Sequence, residues 1–321
     1  MKIDWIPLAL VPLLCLAALP LVGSLPTWVT LTVAGLAMGM MIFLMASGLT
    51  LVFGLMDVLN FAHGIFISVG AYGAATVLTR MTKEMQAESL ASDLSAMVPA
   101  VLAAMALAGV LGWFFERVLI RPVYGDHLKQ ILITMGGLIV FEQLIHVVWG
   151  ADIIPLPRPG TITGSFIVGE AAIERYRVAA VVVGVLVFAA MWAVLNRTRI
   201  GLLVRAGVEN PEMVESLGYR IRRLFVGVFV AGSALAGLGG AMWAMYQEQV
   251  TPAMGMQVLV VIFIVVIIGG LGSVGGCFVG AMLVGLMANY TGYLAPKLAL
   301  GSNILLMVLV LLWRPRGLYP V

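Results

Sequence analysis

The stretch from Gln257 to Tyr290 reads QVLVVIFIVVIIGGLGSVGGCFVGAMLVGLMANY and contains no charged side chain. A helix of about 34 residues would be about 50 Å long, whereas the hydrocarbon core of a bilayer is about 30 Å thick. The run must therefore reverse, which gives two short or broken segments. We predict that the reversal uses a run of glycines as a hinge or as close-packing positions. These glycines are Gly269, Gly270, Gly272, Gly275 and Gly276.

The whole chain has the composition of a membrane protein. Its 321 residues are 62% hydrophobic and only 10% charged, whereas soluble domains carry about 25% charged residues. A water-soluble fold could not bury so much apolar surface. We therefore predict an all-α polytopic integral membrane protein, in which residues 1–321 form a single transmembrane domain. Eight to ten transmembrane helices are expected, including broken or reentrant segments.

Ten membrane segments account for the apolar runs. The first run is expected to be a span and not a signal peptide, because it lacks a strongly basic start and contains Pro12 and Pro20. The seventh contains Gly232, Ala236 and Gly240 at four-residue spacing, which predicts a close-packed helix seam. The third segment follows a polar interruption at residues 54–64 and ends at about residue 78. The other segments cover about residues 8–25, 28–55, 96–115, 130–149, 178–195, 224–246, two within 257–290, and 302–313.

The basic residues predict the orientation of these segments. If the amino terminus is cytoplasmic, twelve of the 18 lysines and arginines also lie on the cytoplasmic side. Such a bias is typical of the cytoplasmic loops of membrane proteins. Both termini and the segment 196–224 are then expected in the cytoplasm.

This segment is the longest polar interval between hydrophobic runs, and it contains signals for a short helix. Asn210 is a suitable N-cap, Pro211 fits the first helical position, and Gly218 can end the helix in a left-handed turn. A helix of about seven residues is unstable alone, so it needs a contact. Met213 and Leu217 lie on one apolar face, with Val214 beside them, and this face suits a protein partner.

Two other interpretations of this interval stay open. It could be an ordinary basic loop, or an interfacial helix attracted to anionic lipid. The acidic residues Glu209, Glu212 and Glu215 count against lipid binding.

No enzyme motif is found in the chain. It contains no Gly-Lys pair and hence no phosphate-binding loop, and it contains neither HExxH nor GxSxG. Cys15 and Cys277 lie in apolar runs without the spacing of a metal site or a disulfide framework. We expect no catalytic residue, metal or cofactor on this chain, and the net charge of +3 gives no reason to expect nucleic acid.

Two polar groups in apolar surroundings are candidates for a solute pathway. Glu142 and His146 lie one helical turn apart, and a charge at mid-bilayer costs about 2.5 to 3.5 kcal/mol, so they should face the bundle interior and pair. Asn60 and His63 stand at the broken start of the third span, where helix dipoles can meet a polar solute. The alternative is that Glu142 and His146 only hold two helices together, and that Asn60 and His63 only cap the third span at the membrane interface. Asp57 is expected to be an interfacial charge.

Four motifs in order resemble one known family. They are GLMDVLNFAHGIFISVGAYGA, RAGVENPEMVESLGYRIRRLF, IIGGLGSVGGCFVGAMLVG and the ending RPRGL. Together they look like the permease subunits of branched-chain amino-acid ABC importers, from about Gly35 to Leu318. The resemblance implies a bacterial inner-membrane permease that transports amino acids or related small polar solutes.

The resemblance also implies partners and a coupling site. The partners would be a second, related permease, two ATPase subunits that bind ATP and Mg, an external solute-binding protein and membrane lipid. The loop from Arg205 to Gly218 would couple the permease to an ATPase. Its candidate residues are Arg205, Glu209, Asn210, Met213, Glu215, Leu217 and Gly218. A secondary carrier or channel is the alternative function, and a membrane scaffold or an intramembrane enzyme is a further one.

Overall fold

The computed structural model describes residues 5–86, 89–209 and 211–319, without the side chains of residues 86, 208, 209, 211, 212 and 300. The described chain is a bundle of α-helices with two small two-stranded sheets. The helices are α1 (Trp5–Val22), α2 (Leu25–Met56), α3 (His63–Leu78), α4 (Thr82–Gln86), α5 (Leu90–Phe114), α6 (His127–Trp149), α7 (Arg175–Arg197), α8 (Arg199–Glu209), α9 (Pro211–Ser216), α10 (Ile221–Gln247), α11 (Met254–Gly269), α12 (Val274–Leu294) and α13 (Ala299–Trp313).

Seven of these helices are long and apolar enough to cross a membrane, namely α1, α2, α6, α7, α10, α12 and the continuous helical stretch 90–123. Three shorter apolar helices, α3, α11 and α13, complete the set. Within the described residues, the apolar helices therefore number ten. The prediction of an all-α polytopic membrane protein with broken segments is confirmed.

Three parts of the chain are more helical than the sequence predicts, and the first is the short helix α4 between the third and fourth expected segments. The helix α5 starts six residues before the expected residue 96 and continues through a π-helix (Phe115–Ile120) and a 3-10 turn (Arg121–Val123), where a loop was predicted. The polar interval after α7 contains a second helix, α8, which was also missed. Gly201, Val204 and Gly207 of α8 are buried, so the helical spacing of small and apolar residues was the available signal.

The core of the bundle lies where α2 packs against α10 and α12, and where α10 packs against α3 and α5. The seam predicted in α10 is confirmed. A methyl group on Gly232 would lie 2.7 Å from the carbonyl oxygen of Gly48 in α2, and one on Gly240 would lie 2.1 Å from that of Ile67 in α3. Only glycine permits such an approach of two backbones. The helix α10 is therefore packed directly against the backbones of its neighbours.

The apolar run of residues 257–290 reverses where the sequence predicts. The helix α11 ends at Gly269, α12 begins at Val274, and the linking Gly270 and Gly272 have φ of 97° and 84°. A methyl group on Gly276 would lie 1.9 Å from the carbonyl oxygen of Gly269. The two helices therefore meet backbone to backbone. Gly275, grouped with them in the prediction, is exposed and has no atom near its missing Cβ.

The opposite end of the bundle carries the two sheets. The first pairs β1 (Ile154–Pro155) with β4 (Gln249–Val250), and the second is a hairpin of β2 (Ser165–Val168) and β3 (Ala171–Glu174). Arg158 connects them to α10, since it donates hydrogen bonds to the carbonyl oxygens of Met245 and Tyr246 and forms ion pairs with Glu174 and Glu248. Both sheets are therefore ordered parts of the bundle.

Candidate coupling surface and polar helix break

The short helix α9 ends in the manner that its sequence predicts. Gly218 has φ of 87°, its amide donates to the carbonyl oxygen of Glu215 at 2.9 Å, and the amide of Tyr219 donates to that of Val214 at 3.3 Å. These two bonds form a Schellman motif, which requires a residue in the left-handed conformation. Asn210, the predicted N-cap, lies outside the described residues.

The side chains of α9 divide into an anchor and an exposed surface. Val214 is only 2% exposed, whereas Met213 is 49% exposed and Leu217 is 67% exposed. Glu215 and Gly218 are also exposed. We call Met213, Glu215, Leu217 and Gly218 the coupling surface. The sequence placed Val214 on the same apolar face, but the structure uses it to hold α9 against the bundle.

The preceding helix α8 is joined firmly to α7. The Thr198 hydroxyl accepts from the amide of Gly201, and the Arg205 guanidinium donates to the carbonyl oxygens of Gly201 and Leu195. Arg205 thereby satisfies a carbonyl group that the end of α7 leaves free. The helix α8 also contacts α2 and α9. Glu209 is the last residue of α8, and its side chain is not described.

A polar break separates α2 from α3. The helix α2 ends at Met56, Asp57 adopts φ of 50°, and residues 57–62 lead to the start of α3 at His63. Asp57 is exposed and lies 3.5 Å from His127, as expected for an interfacial charge. Asn60 and His63, in contrast, are almost completely buried.

Hydrogen bonds within the described residues leave this break incompletely satisfied. The Nε2 group of His63 donates to the carbonyl oxygen of Met45 at 2.8 Å, but its Nδ1 has no partner. Neither the Nδ2 nor the Oδ1 atom of Asn60 has a partner. Buried polar atoms without partners are rare, since each costs about 1–3 kcal/mol. The break therefore contains three buried polar atoms without a hydrogen-bond partner among the described residues.

The helix α6 holds this break from the other side. Gln130 Oε1 accepts from the amide of Leu59 at 3.3 Å, and the Thr134 hydroxyl accepts from the amide of Phe61 at 3.2 Å. Both side chains are buried. The sequence pattern assigns neither side chain a role in holding this break. Their partners are backbone amides, which leave no mark in the sequence.

Glu142 and His146 do not form the expected pair. Both side chains are half-buried, and the described chain shows neither a hydrogen bond nor an ion pair between them. The reason is the position of α6, which contacts only α3 and the segment 115–123 extensively and exposes much of its surface. Their role in a solute pathway stays a prediction. Within residues 5–86, 89–209 and 211–319, no cluster of His, Cys, Asp and Glu could hold a metal ion.

Comparison with known proteins gives one consistent result. The family described as the permease component of branched-chain amino acid transport systems matches residues 31–313. The high-affinity branched-chain amino acid transport system permease protein BraD of Pseudomonas aeruginosa is 29% identical over 296 residues, which cover 89% of this chain and 94% of that protein. LivH of Escherichia coli K12, named as a permease of the same kind, is 27% identical over 293 residues, which cover 88% and 92%.

More distant relatives include a differently named permease. The probable branched-chain amino acid transport permease protein LivM of Methanocaldococcus jannaschii is 24% identical, over 87% of this chain and 90% of that protein. No solved structure matches this chain.

Proposed function

Since the chain belongs to the family of permease components of branched-chain amino acid transport systems, we propose that it forms half of the solute pathway of an ATP-driven importer. The observation that supports coupling to an ATPase is the geometry of α9. A helix of six residues is too short to persist alone in water. Its Schellman motif and the buried Val214 nevertheless hold it in place, while Met213 and Leu217 remain exposed. An anchored helix with exposed apolar side chains suits a protein partner.

The path from α9 into the bundle supports transmission of movement. The Schellman motif is followed within a few residues by α10, and α10 packs against α2, α3 and α5. Closure of the ATPases would displace α8 and α9 together, because the two helices contact each other. The close-packed α10 would carry this displacement to the polar break between α2 and α3. Packed helices transmit such shifts because they are hard to deform.

The proposed assembly contains this chain, a second permease, two ATPase subunits that bind ATP and Mg, and an external solute-binding protein. The similarity of this chain to relatives named LivH and LivM supports a pair of related permeases. The complex would lie in the bacterial inner membrane, with the coupling surface and both termini in the cytoplasm. The distribution of lysine and arginine supports this orientation.

The proposed cargo is a branched-chain amino acid or a related small polar solute. Both relatives named above are called branched-chain amino acid permeases. Asn60 and His63 are the proposed solute contacts on the pathway. They are sealed inside the subunit in this structure, and a shift of the α2–α3 break would expose them. Glu142 and His146 of α6 are weaker candidates, because each is only half-buried.

A leucine substitution tests the coupling surface. The complex would be reconstituted in vesicles with its ATPase subunits and binding protein, and ATP-dependent uptake of labelled leucine would be measured. Leu217→Ser should lower uptake about tenfold, as expected for loss of about 1.4 kcal/mol of contact energy, without changing the amount of inserted permease. Leu271→Ser is the matched control, because Leu271 is 50% exposed in the glycine turn, outside the coupling surface.

Two results would contradict the proposal. Equal uptake by the Leu217→Ser variant and the unchanged protein would remove the coupling surface from the mechanism. Uptake that persists without any ATPase would identify a secondary carrier or channel.

A further inference from the structure

A second polar site lies beside the coupling surface, where the end of α5 meets the start of α10. Arg117, Arg121, Arg222 and Arg223, together with Val226, line a pocket of about 390 Å³. We propose that this pocket binds the phosphate group of an anionic phospholipid.

The fold brings two pairs of arginines together. Arg117 and Arg121 lie four residues apart in the π-helix and the 3-10 turn that continue α5, and Arg222 and Arg223 lie in the first turn of α10. The two helices pack closely because Gly112 of α5 adjoins the Ser233 side chain of α10. The arginines converge because of this contact, since about 100 residues separate the two pairs along the chain.

The four guanidinium groups have no close counterion in the described chain, although Arg121 and Arg222 lie near Tyr124, which bonds to the buried Glu116. None of the four guanidinium groups forms a hydrogen bond or an ion pair with a carboxylate there. The adjacent Glu116 is directed into the protein, where it is 1% exposed and accepts a hydrogen bond from Tyr124 at 2.9 Å. The nearby Asp126 forms an ion pair with Lys129 at 2.9 Å. Four unpaired arginines in one pocket repel one another, and a bound anion would relieve that repulsion.

The start of α10 adds to the positive potential. Its N-cap, Arg220, makes no side-chain capping bond, and its first turn contains no acidic residue. The amino end of a helix of 27 residues carries a partial positive charge. Arginine side chains at this end are therefore electrostatically unfavourable unless an anion accompanies them. Arginine also suits phosphate because its planar fork donates two parallel hydrogen bonds.

The surroundings of the pocket favour a lipid over a soluble phosphate. Trp113, one helical turn before Arg117, is 48% exposed, and Val118 beside Arg117 is 49% exposed. Exposed tryptophan next to exposed apolar and basic side chains is typical of the membrane interface. The lining residue Val226 adds an apolar contact for the glycerol or acyl part of the molecule. Basic pockets between helices at the membrane surface bind acidic headgroups in this way.

Native mass spectrometry of the purified full-length chain would test the site. The protein would be exchanged into mixed micelles that contain equal amounts of phosphatidylglycerol and phosphatidylethanolamine. We expect preferential retention of phosphatidylglycerol, and a decrease of at least about fivefold in the Arg222→Gln/Arg223→Gln variant. Arg117→Gln/Arg121→Gln should give the same loss from the other side of the pocket. Arg197→Gln is the matched control, because Arg197 is an exposed arginine outside the pocket.

Other results would overturn the proposal. Equal retention by the control and both double variants would mean that the pocket binds no lipid. Inorganic phosphate is the second probe. If it displaces the lipid at low millimolar concentration, or raises the melting temperature without preferential lipid retention, the ligand is a soluble phosphate. Loss of the retained lipid on addition of the ATPase subunits would identify an acidic protein surface as the occupant.

Discussion

Two breaks interrupt the membrane helices, one between α11 and α12 and one between α2 and α3. The two breaks touch each other but are built in opposite ways. At the turn between α11 and α12, glycine backbones pack directly together, and the carbonyl oxygens of Ile268 and Gly269 accept hydrogen bonds from the amides of Leu318 and Tyr319. At the break between α2 and α3, side chains from α6 hold the backbone, and Asn60 keeps two unpartnered polar atoms. A methyl group on Gly54, just before this second break, would lie 2.2 Å from the Cα atom of Gly272 in the first.

The difference indicates separate roles for the two breaks. The glycine turn accepts backbone hydrogen bonds from Leu318 and Tyr319 and has no room for a side chain at Gly269 or Gly276, so its movement would break many contacts at once. The helix α6 holds the polar break by only two hydrogen bonds from backbone amides, each with a net value of about 0.5–1.5 kcal/mol. We therefore expect the glycine turn to move as a rigid unit and the polar break to rearrange when solute binds.

The largest expected effect is on the glycine turn. Gly276→Ala places a methyl group 1.9 Å from the Gly269 carbonyl oxygen, so we expect a loss of about 3 kcal/mol of stability from overpacking. Gly275→Ala is the control, because its methyl group would meet no atom within 4 Å. That variant should be as stable as the unchanged protein or more stable, by up to about 1 kcal/mol. Thermal unfolding in detergent would compare them, and equal melting temperatures would contradict the rigid turn.

The next effect separates function from stability at the polar break. Asn60→Leu removes two unpartnered polar atoms and keeps a similar volume, so the melting temperature should stay the same or rise. Uptake in vesicles should nevertheless fall at least about tenfold, because the proposed solute contact is lost. Normal uptake with a raised melting temperature would show that Asn60 is not a solute contact.

A smaller effect is expected at the clamp on the polar break. Thr134→Val removes the hydroxyl that accepts from Phe61 and should cost about 1 kcal/mol. Hydrogen exchange of residues 57–62 should become faster, while exchange in the glycine turn should not change. Thr79→Val is the control, since its hydroxyl bonds only within its own helix. An equal change in both variants would mean that α6 does not hold the break.

The smallest effect concerns the start of α6. Asp126 accepts from the amide of Lys129 and forms an ion pair with its side chain, and the hydrogen bonds from Lys129 lower the pKa of Asp126. Its contribution to stability is therefore present above its unfolded pKa of about 3.9. That contribution is lost as the pH falls through the lower folded value. Asp126→Asn keeps a capping side chain and should flatten this dependence in melts between pH 2 and 6.

Local signals explain which parts of the fold could be predicted. The reversal of the 257–290 run follows from its length and glycines, and the end of α9 follows from Gly218. The π-helix and α8 were missed because a basic residue every few positions resembles a loop when only polarity is considered. In the structure Gly201, Val204 and Gly207 of α8 pack inward, whereas its arginines, Ile200 and Leu202 remain at the surface.

The candidate sites show a similar limit. Asn60 and His63 could be identified because polar residues in an apolar sequence are costly and need a reason. The clamp formed by Gln130 and Thr134 could not, because its partners are backbone amides about 70 residues away along the chain. The expected pairing of Glu142 with His146 was wrong, since their spacing on one helix says nothing about which neighbours that helix has.

The sequence by itself determined that this chain is an all-α membrane permease, where its apolar runs begin and end, and that residues 257–290 reverse. These properties depend on local hydrophobicity and on the thickness of a bilayer. Only the tertiary structure decided that Val214 is an anchor while Met213 and Leu217 are exposed, and that four arginines from α10 and the continuation of α5 share one pocket. Burial and the proximity of distant residues depend on how helices pack, and that packing is set by backbone contacts spread over the whole bundle.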